Sequence, residues 1–228
     1  KNEDGTPAFA RSITDYDSLD DAPTLYRKIL PNQEDNSVVI VSVGFSTNLI
    51  KLLETQADEY SPLSGRELVK QKVKLLVTMA GNFENEEFHE YNVMKDVPAA
   101  KVIFETWPTP VVTSPFELGI QTCYPASSIE KDFDWAELNP IVEAYKSYLP
   151  MPYDRPMWDP TALMYAVEGE KWFTMSPNGQ ISITDEGSTL FTATPDGDRK
   201  YMMVDTLQAK AIIEHFVELI PFNPKSTR

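Results

Sequence analysis

Short β-branched runs alternate with segments of helical period along most of this chain. Ser37 to Val43 reads Ser-Val-Val-Ile-Val-Ser-Val, apolar on both sides of the pleat, which is the pattern of a strand buried on two faces. Lys74 to Met79 predicts a second such strand and Pro110 to Thr113 a third, shorter one. Helical spacing fits Ala22 to Leu30, Leu49 to Leu53, Glu67 to Lys72, and Pro98 to Thr106 with Asp96 near its N-cap. It continues over Ile141 to Tyr148 and Pro160 to Val167. Gly179 to Ile183 and Thr189 to Phe191 flank Asp185-Glu186-Gly187 as a hairpin, and Asp205 to Ile220 reads as a closing amphipathic helix. Lys1 to Asp21 is polar and aperiodic, the pattern of a loop or a disordered start.

Strands separated by helices require crossover connections, so the expected class is α/β with a mostly parallel sheet flanked by helices and a C-terminal hairpin and helix. No linker or repeat divides the chain, and residues 1–228 read as one domain. In open sheets of this kind ligands bind at the carboxyl ends of the strands. The turn after Val43, the loop after Met79 and the turn after Thr113 should therefore converge.

Composition narrows the picture. Twenty basic against 35 acidic side chains give a net charge of −15. That field repels phosphate backbones and argues against nucleic acid as partner. No apolar run approaches the roughly 20 residues a membrane-spanning helix needs. Cys123 is the sole cysteine, so no intrachain disulfide or thiolate zinc site can form. A lone cysteine fits cytoplasm and periplasm alike and leaves the compartment open.

Three ordered sequence fragments carry a family resemblance. Gly44-Phe45-Ser46-Thr47-Asn48 resembles the G-P-L-T-N turn of calcium-dependent nucleoside hydrolases of the inosine-uridine preferring family. Leu76 to Phe83 (LVTMAGNF), Glu90-Tyr91-Asn92 and Asp96-Val97-Pro98-Ala99-Ala100 resemble that family's V-L-M-G-G, E-F-N and D-P-E-A-A series. Trp158-Asp159-Pro160-Thr161-Ala162 resembles its H-D-P-x-A motif. The resemblance implies a nucleoside hydrolase-like, open Rossmann-like sheet and hydrolysis of the N-glycosidic bond of ribonucleosides to ribose and free base. It also implies one Ca²⁺ ion and a homo-oligomer.

By carry-over, Asp159 and the main-chain carbonyl of Val43 are metal ligands, oxygen donors suited to a hard cation. Glu90 and Asn92 would hold ribose hydroxyls, with Asn82 or Asn85 as a further substrate-binding asparagine. Asp159 also has a plain reading as the N-cap of the helix that Pro160 opens. Glu117 could stand behind the site as a supporting carboxylate, and Arg155 could border it.

Two departures from the family pattern matter. Its N-terminal D-x-D-x-G-x-D-D motif supplies metal ligands and the general base. Asp15-Tyr16-Asp17-Ser18-Leu19-Asp20-Asp21 imitates that motif without its spacing, its glycine or a buried strand in front, and reads as an acidic loop and N-cap. The resemblance therefore implies that this chain is the C-terminal two-thirds of a larger domain, with the base upstream. Second, Trp158 replaces the family's histidine acid. An indole has no proton to give at neutral pH, but it can stack on the leaving base. Two rival readings follow: a non-catalytic nucleoside- or sugar-binding homologue, and a hydrolase of another ribosyl substrate.

Overall fold

A computed structural model describes residues 4–9 and 11–223. The three β-branched runs form β1 (Val38–Ser42), β2 (Val73–Met79) and β3 (Val111–Ser114), adjacent and parallel as their pattern predicts. β4 (Cys123–Tyr124) and β5 (Arg155–Pro156) pair by themselves, and β6 (Thr174–Met175) is a short flank. β7 (Gly179–Ile183) and β8 (Thr189–Ala193) form the hairpin, and β9 (Arg199–Met203) inserts parallel to β3. The main sheet runs β1-β2-β3-β9-β7-β8, with β6 paired to β9. Residues 4–9 and 11–21 make turns and bends without helix or strand. Lys1 to Glu3 and Ala10 lie outside the described residues.

One helical layer holds α1 (Ala22–Ile29), α2 (Thr47–Glu54), α3 (Gly65–Lys72) and α5 (Val97–Thr106), with the one-turn α4 (Tyr91–Met94) before α5. Leu30, Leu52, Leu68 and Ile103 from this layer pack on Ile40, Leu76 and Val111 of the sheet. The opposite face carries α6 (Phe116–Gln121), α7 (Ala126–Lys131), α8 (Pro140–Tyr148), α9 (Trp158–Glu168) and α10 (Thr206–Leu219). There Val77, Met79 and Val112 meet Leu118, Ala162, Met164, Ile212 and Phe216. The residues alternate between the two layers as the pleat requires.

One expectation needs correction, and one strand carries no signal in the sequence pattern. The sequence pattern predicts β1 buried on both faces, but only Ile40 is buried in it. The reason is position: β1 lies at the sheet edge with β2 as its one strand partner among the described residues. β9, by contrast, lies inside the sheet although its sequence, Arg-Lys-Tyr-Met-Met, opens on two charges. Arg199 is buried there because the carbonyls of Phe104, Trp107 and Thr109 and the carboxylate of Asp198 take its guanidinium protons.

Candidate functional site

The carboxyl ends of β1 and β2 face the first turn of α9 across a cleft of about 470 Å³. Val43 follows β1, Met79 ends β2, and Glu90, Tyr91 and Asn92 come from the loop and turn beyond it. Phe116, Tyr148, Arg155, Trp158 and Asp159 complete the wall. Val43, Glu90, Asn92, Trp158 and Asp159, all singled out by sequence, are thus brought to one cavity. The topological rule that ligands sit at strand carboxyl ends leads to the same place.

The loop after β2 is built around Glu90. Its carboxylate accepts the backbone amides of Asn92 at 2.9 Å and of Gly81 and Val93 at 3.2 Å each. Burial raises the Glu90 pKa, and those amides oppose the rise. Gly81 adopts φ +82°, a left-handed conformation that favours glycine, and a Cβ there would meet the Thr189 side chain at 3.0 Å. The side-chain amide of Asn92 donates to the Met79 carbonyl at 3.0 Å, which fixes it at the strand end and leaves its Oδ1 available. Asn82 is buried, and its Oδ1 accepts the amides of Glu84 and Asn85. It shapes the loop and does not line the cleft. Asn85 likewise closes a turn, accepting the backbone amide of Glu87, and exposed His89 is not in the wall.

Helix α9 is held where its first turn faces the cleft. The Met157 amide donates to the Thr122 carbonyl, and the Ser114 and Thr161 hydroxyls share a 2.7 Å hydrogen bond between the end of β3 and α9. Met157 is the N-cap residue and offers no side-chain cap, so the plain reading of Asp159 as N-cap is wrong. Asp159 stands further in, within the first turn, where the helix dipole favours a negative charge. Desolvation raises its pKa, and the charge of Arg155 offsets only part of the rise.

Trp158 is half-buried, stacked on Phe116 with ring centroids 5.5 Å apart, and Phe88 packs against Phe116 at 4.3 Å. Phe116 and Trp158 thus form an aromatic stretch of the cleft wall, with Phe88 packed on Phe116 outside the lining. Arg155 lies over the Tyr148 ring at 4.2 Å. Sequence reasoning singled out Trp158 and Arg155 but missed Phe88, Phe116 and Tyr148, which no motif marks. Glu117 is outside the wall of the cleft: one oxygen accepts the Phe83 amide at 2.9 Å and the other is buried without a partner among the described residues. Burial raises its pKa.

Val43 and Asp159 both line the cleft, and a carboxylate and a main-chain carbonyl are donors of the kind taken by a hard cation, which needs about 6 to 8. Among the described residues no three His, Cys, Asp or Glu side chains converge to hold a metal ion. The acidic imitation at Asp15 to Asp21 lies in a turn. Asp21 caps α1 by accepting the Thr24 amide, and Asp20 pairs with Lys28. No helix among the described residues is long and apolar enough to cross a membrane.

No curated protein sequence matches the chain. The structure is similar to a plant nucleoside hydrolase, with 16% identity and TM-score 0.64, covering 94% of this chain and 71% of that one. It is similar to a purine-preferring ribonucleoside hydrolase from Gardnerella vaginalis, with 17% identity and TM-score 0.67, covering 89% and 67%. A type III effector protein, XopQ, complexed with adenosine diphosphate ribose, matches at 13% identity and TM-score 0.57, covering 89% and 66%. At these identities the likeness shows a shared fold, and the chain spans about two thirds of the length of each. The sequence profile described as inosine-uridine preferring nucleoside hydrolase matches residues 4–214, and the chain belongs to that family.

Proposed function

We propose that the whole protein hydrolyses the N-glycosidic bond of ribonucleosides, releasing ribose and free base for salvage. The observation that carries this reading is the single cleft lined by Val43, Glu90, Asn92, Trp158 and Asp159. Glycosidic cleavage develops oxocarbenium character in the sugar, so the chemistry needs an oriented ribose, an activated water and a leaving base that can carry electrons away. Asn92 and the remaining acceptor capacity of Glu90 hold the sugar hydroxyls. Trp158, backed by Phe116 and Phe88, stacks on the base. Asp159 and the Val43 carbonyl would hold one Ca²⁺ together with oxygen donors from residues outside these 228, and such an ion supplies Lewis acidity. The general base is assigned to the same outside segment. A homo-oligomeric assembly is part of this reading.

The test is release of hypoxanthine from inosine and uracil from uridine by the gene's full polypeptide, with and without Ca²⁺. Release that needs Ca²⁺ and is lost in Asp159→Asn supports the reading. Tight nucleoside binding without release by the intact protein would replace it with the binding-homologue reading. A second reading, hydrolysis of another ribosyl substrate, is favoured by the likeness to the effector structure that holds adenosine diphosphate ribose. Parallel assay of that compound separates the two.

A further inference from the structure

Arg27, Arg66 and Arg199 spend their guanidinium groups on protein oxygens. Arg155 does not. Among the described residues its half-buried guanidinium has no hydrogen bond and no ion pair, and it lies over the Tyr148 ring at 4.2 Å. A cation held on a ring face keeps the donors of its planar edge unspent. The backbone fixes it in place: Arg155 pairs with Tyr124 between β4 and β5, and Asp154 before it accepts the Ala126 amide at 2.8 Å. Arg155 and Tyr148 both line the candidate cleft. Lys95 repeats the arrangement, with Nζ 4.7 Å from the ring centre of Tyr91, another residue of the wall, and no carboxylate partner among the described residues. Tyr91 is 62% exposed and Tyr148 61%, which puts both pairs at the rim. In a chain of 20 basic and 35 acidic side chains, cations left without a carboxylate at the rim of a cleft are donors held in reserve.

We propose that Arg155 binds a phosphate ester on the 5′ carbon of the substrate, so that the cleft prefers 5′-phosphorylated ribosyl compounds to free nucleosides. The inference rests on the proposed use of the cleft for an N-riboside and narrows its substrate class. A free nucleoside brings no anion to meet a guanidinium. The anion that ribosyl compounds carry is phosphate, whose oxygens match the guanidinium fork in bidentate fashion. An ester at the 5′ carbon also leaves the two ring hydroxyls for Asn92 and Glu90. Lys95 adds positive potential at the rim. The chain charge of −15 does not oppose a single phosphate at contact distance, because exposed charges are screened beyond about 8 Å at physiological salt. A long polyanion would meet the whole field. The plainer role for Arg155 is to offset the charge of Asp159, whose carboxylate its own charge reaches. That role has a different signature, because it does not depend on what the ligand carries.

Calorimetric titration of the gene's full polypeptide with ribose, ribose 5-phosphate and inorganic phosphate tests the inference without any turnover. Ribose 5-phosphate should bind at least about tenfold tighter than ribose, the effect of charge-assisted hydrogen bonds. Arg155→Gln should bring the ratio of the two affinities close to one, and Arg155→Lys, which keeps the charge without the fork, should retain part of it. Equal affinities in the wild-type protein, or no binding of ribose 5-phosphate, overturn the proposal without need of a variant. A ratio that survives Arg155→Gln overturns it too. Equal weakening of both sugars in that variant overturns it in favour of a role toward Asp159. Inorganic phosphate that binds as tightly as ribose 5-phosphate overturns the link to a ribosyl substrate. Failure here is distinct from failure of the proposed hydrolysis. Base release from inosine alongside equal sugar affinities removes the phosphate subsite alone, and an Arg155-dependent ratio in a protein that releases no base removes hydrolysis alone.

Discussion

The indole N–H of Trp158 donates to the carbonyl of Phe116 at 3.0 Å while the two rings stack, so one residue fixes the other in position and in tilt. Gly119 makes room for this arrangement: a Cβ there would lie 1.9 Å from Trp158 Cδ1. Gly119→Ala must therefore move the indole. Overpacking of this kind costs about 1–3 kcal/mol. We expect lower urea stability, altered tryptophan fluorescence and weaker nucleoside binding in that variant. An unchanged affinity would separate the aromatic wall from ligand recognition.

Glu90 has a structural task that its place in an E-F-N-like motif conceals. Its carboxylate serves three backbone amides, so Glu90→Ala leaves the donors of Gly81, Val93 and Asn92 without their acceptor. A buried unsatisfied group costs about 1–3 kcal/mol. Stability and ligand affinity should fall together, read by urea unfolding and by calorimetric titration with inosine. Loss of affinity at full stability would mean that the side chain acts on the ligand alone.

What the sequence discloses and what it conceals divide along the same line, between local pattern and distant contact. β1, β2 and β3 were legible because runs of β-branched, apolar residues favour the extended backbone whatever packs on them. β9 was not, since Arg199 becomes compatible with the interior only through carbonyls of distant residues. Residue types at the cleft were legible from motifs, but the hydrogen bonds they spend elsewhere were not. Asn82 and Glu90 look alike as polar loop residues, and both spend acceptors on backbone amides of their own loop, yet only Glu90 lines the cavity. Phe88 and Phe116 join Trp158 only through the fold, because aromatic residues that far apart in sequence carry no periodic signal.

Acid should unfold the protein through two depressed carboxylates. Asp58 is held at about 2, chiefly by its hydrogen bonds from the buried guanidinium of Arg27. Glu168 is also held at about 2, first by the Trp172 indole and then by His215, with Lys171 adding to both. Their ordinary values are 3.8 and 4.5. A folded pKa below the unfolded one contributes stability that is fully present above the unfolded value and is lost as pH falls through the folded one. The melting temperature should thus drop between about pH 4.5 and pH 2. Asp58→Asn and Glu168→Gln should each flatten that slope. Asp58→Asn should also lower stability at neutral pH, because the buried Arg27 guanidinium loses its carboxylate partner and keeps only the neutral acceptors of Thr55, Ser61 and Leu63. A pH profile identical to wild type in both variants would refute the assignment.

On the proposed function, Trp158 is the residue that would face the leaving base. Half-buried in the cleft wall and stacked on Phe116, its ring offers a surface to a base but no proton. Stacking helps a leaving base spread developing charge, and base–aromatic stacking is worth on the order of 1–3 kcal/mol. Trp158→Ala in the full polypeptide should lower kcat/KM for inosine or uridine by about ten- to a hundredfold. A ribosyl substrate with an activated leaving group, such as a nitrophenyl riboside, needs no help to depart and should lose much less. Trp158→Phe keeps a ring face and should recover part of the loss for the natural nucleosides. Equal losses on both substrates would mean that Trp158 supports the first turn of α9 through its bond to the Phe116 carbonyl, and acts on Asp159 by position instead of on the base.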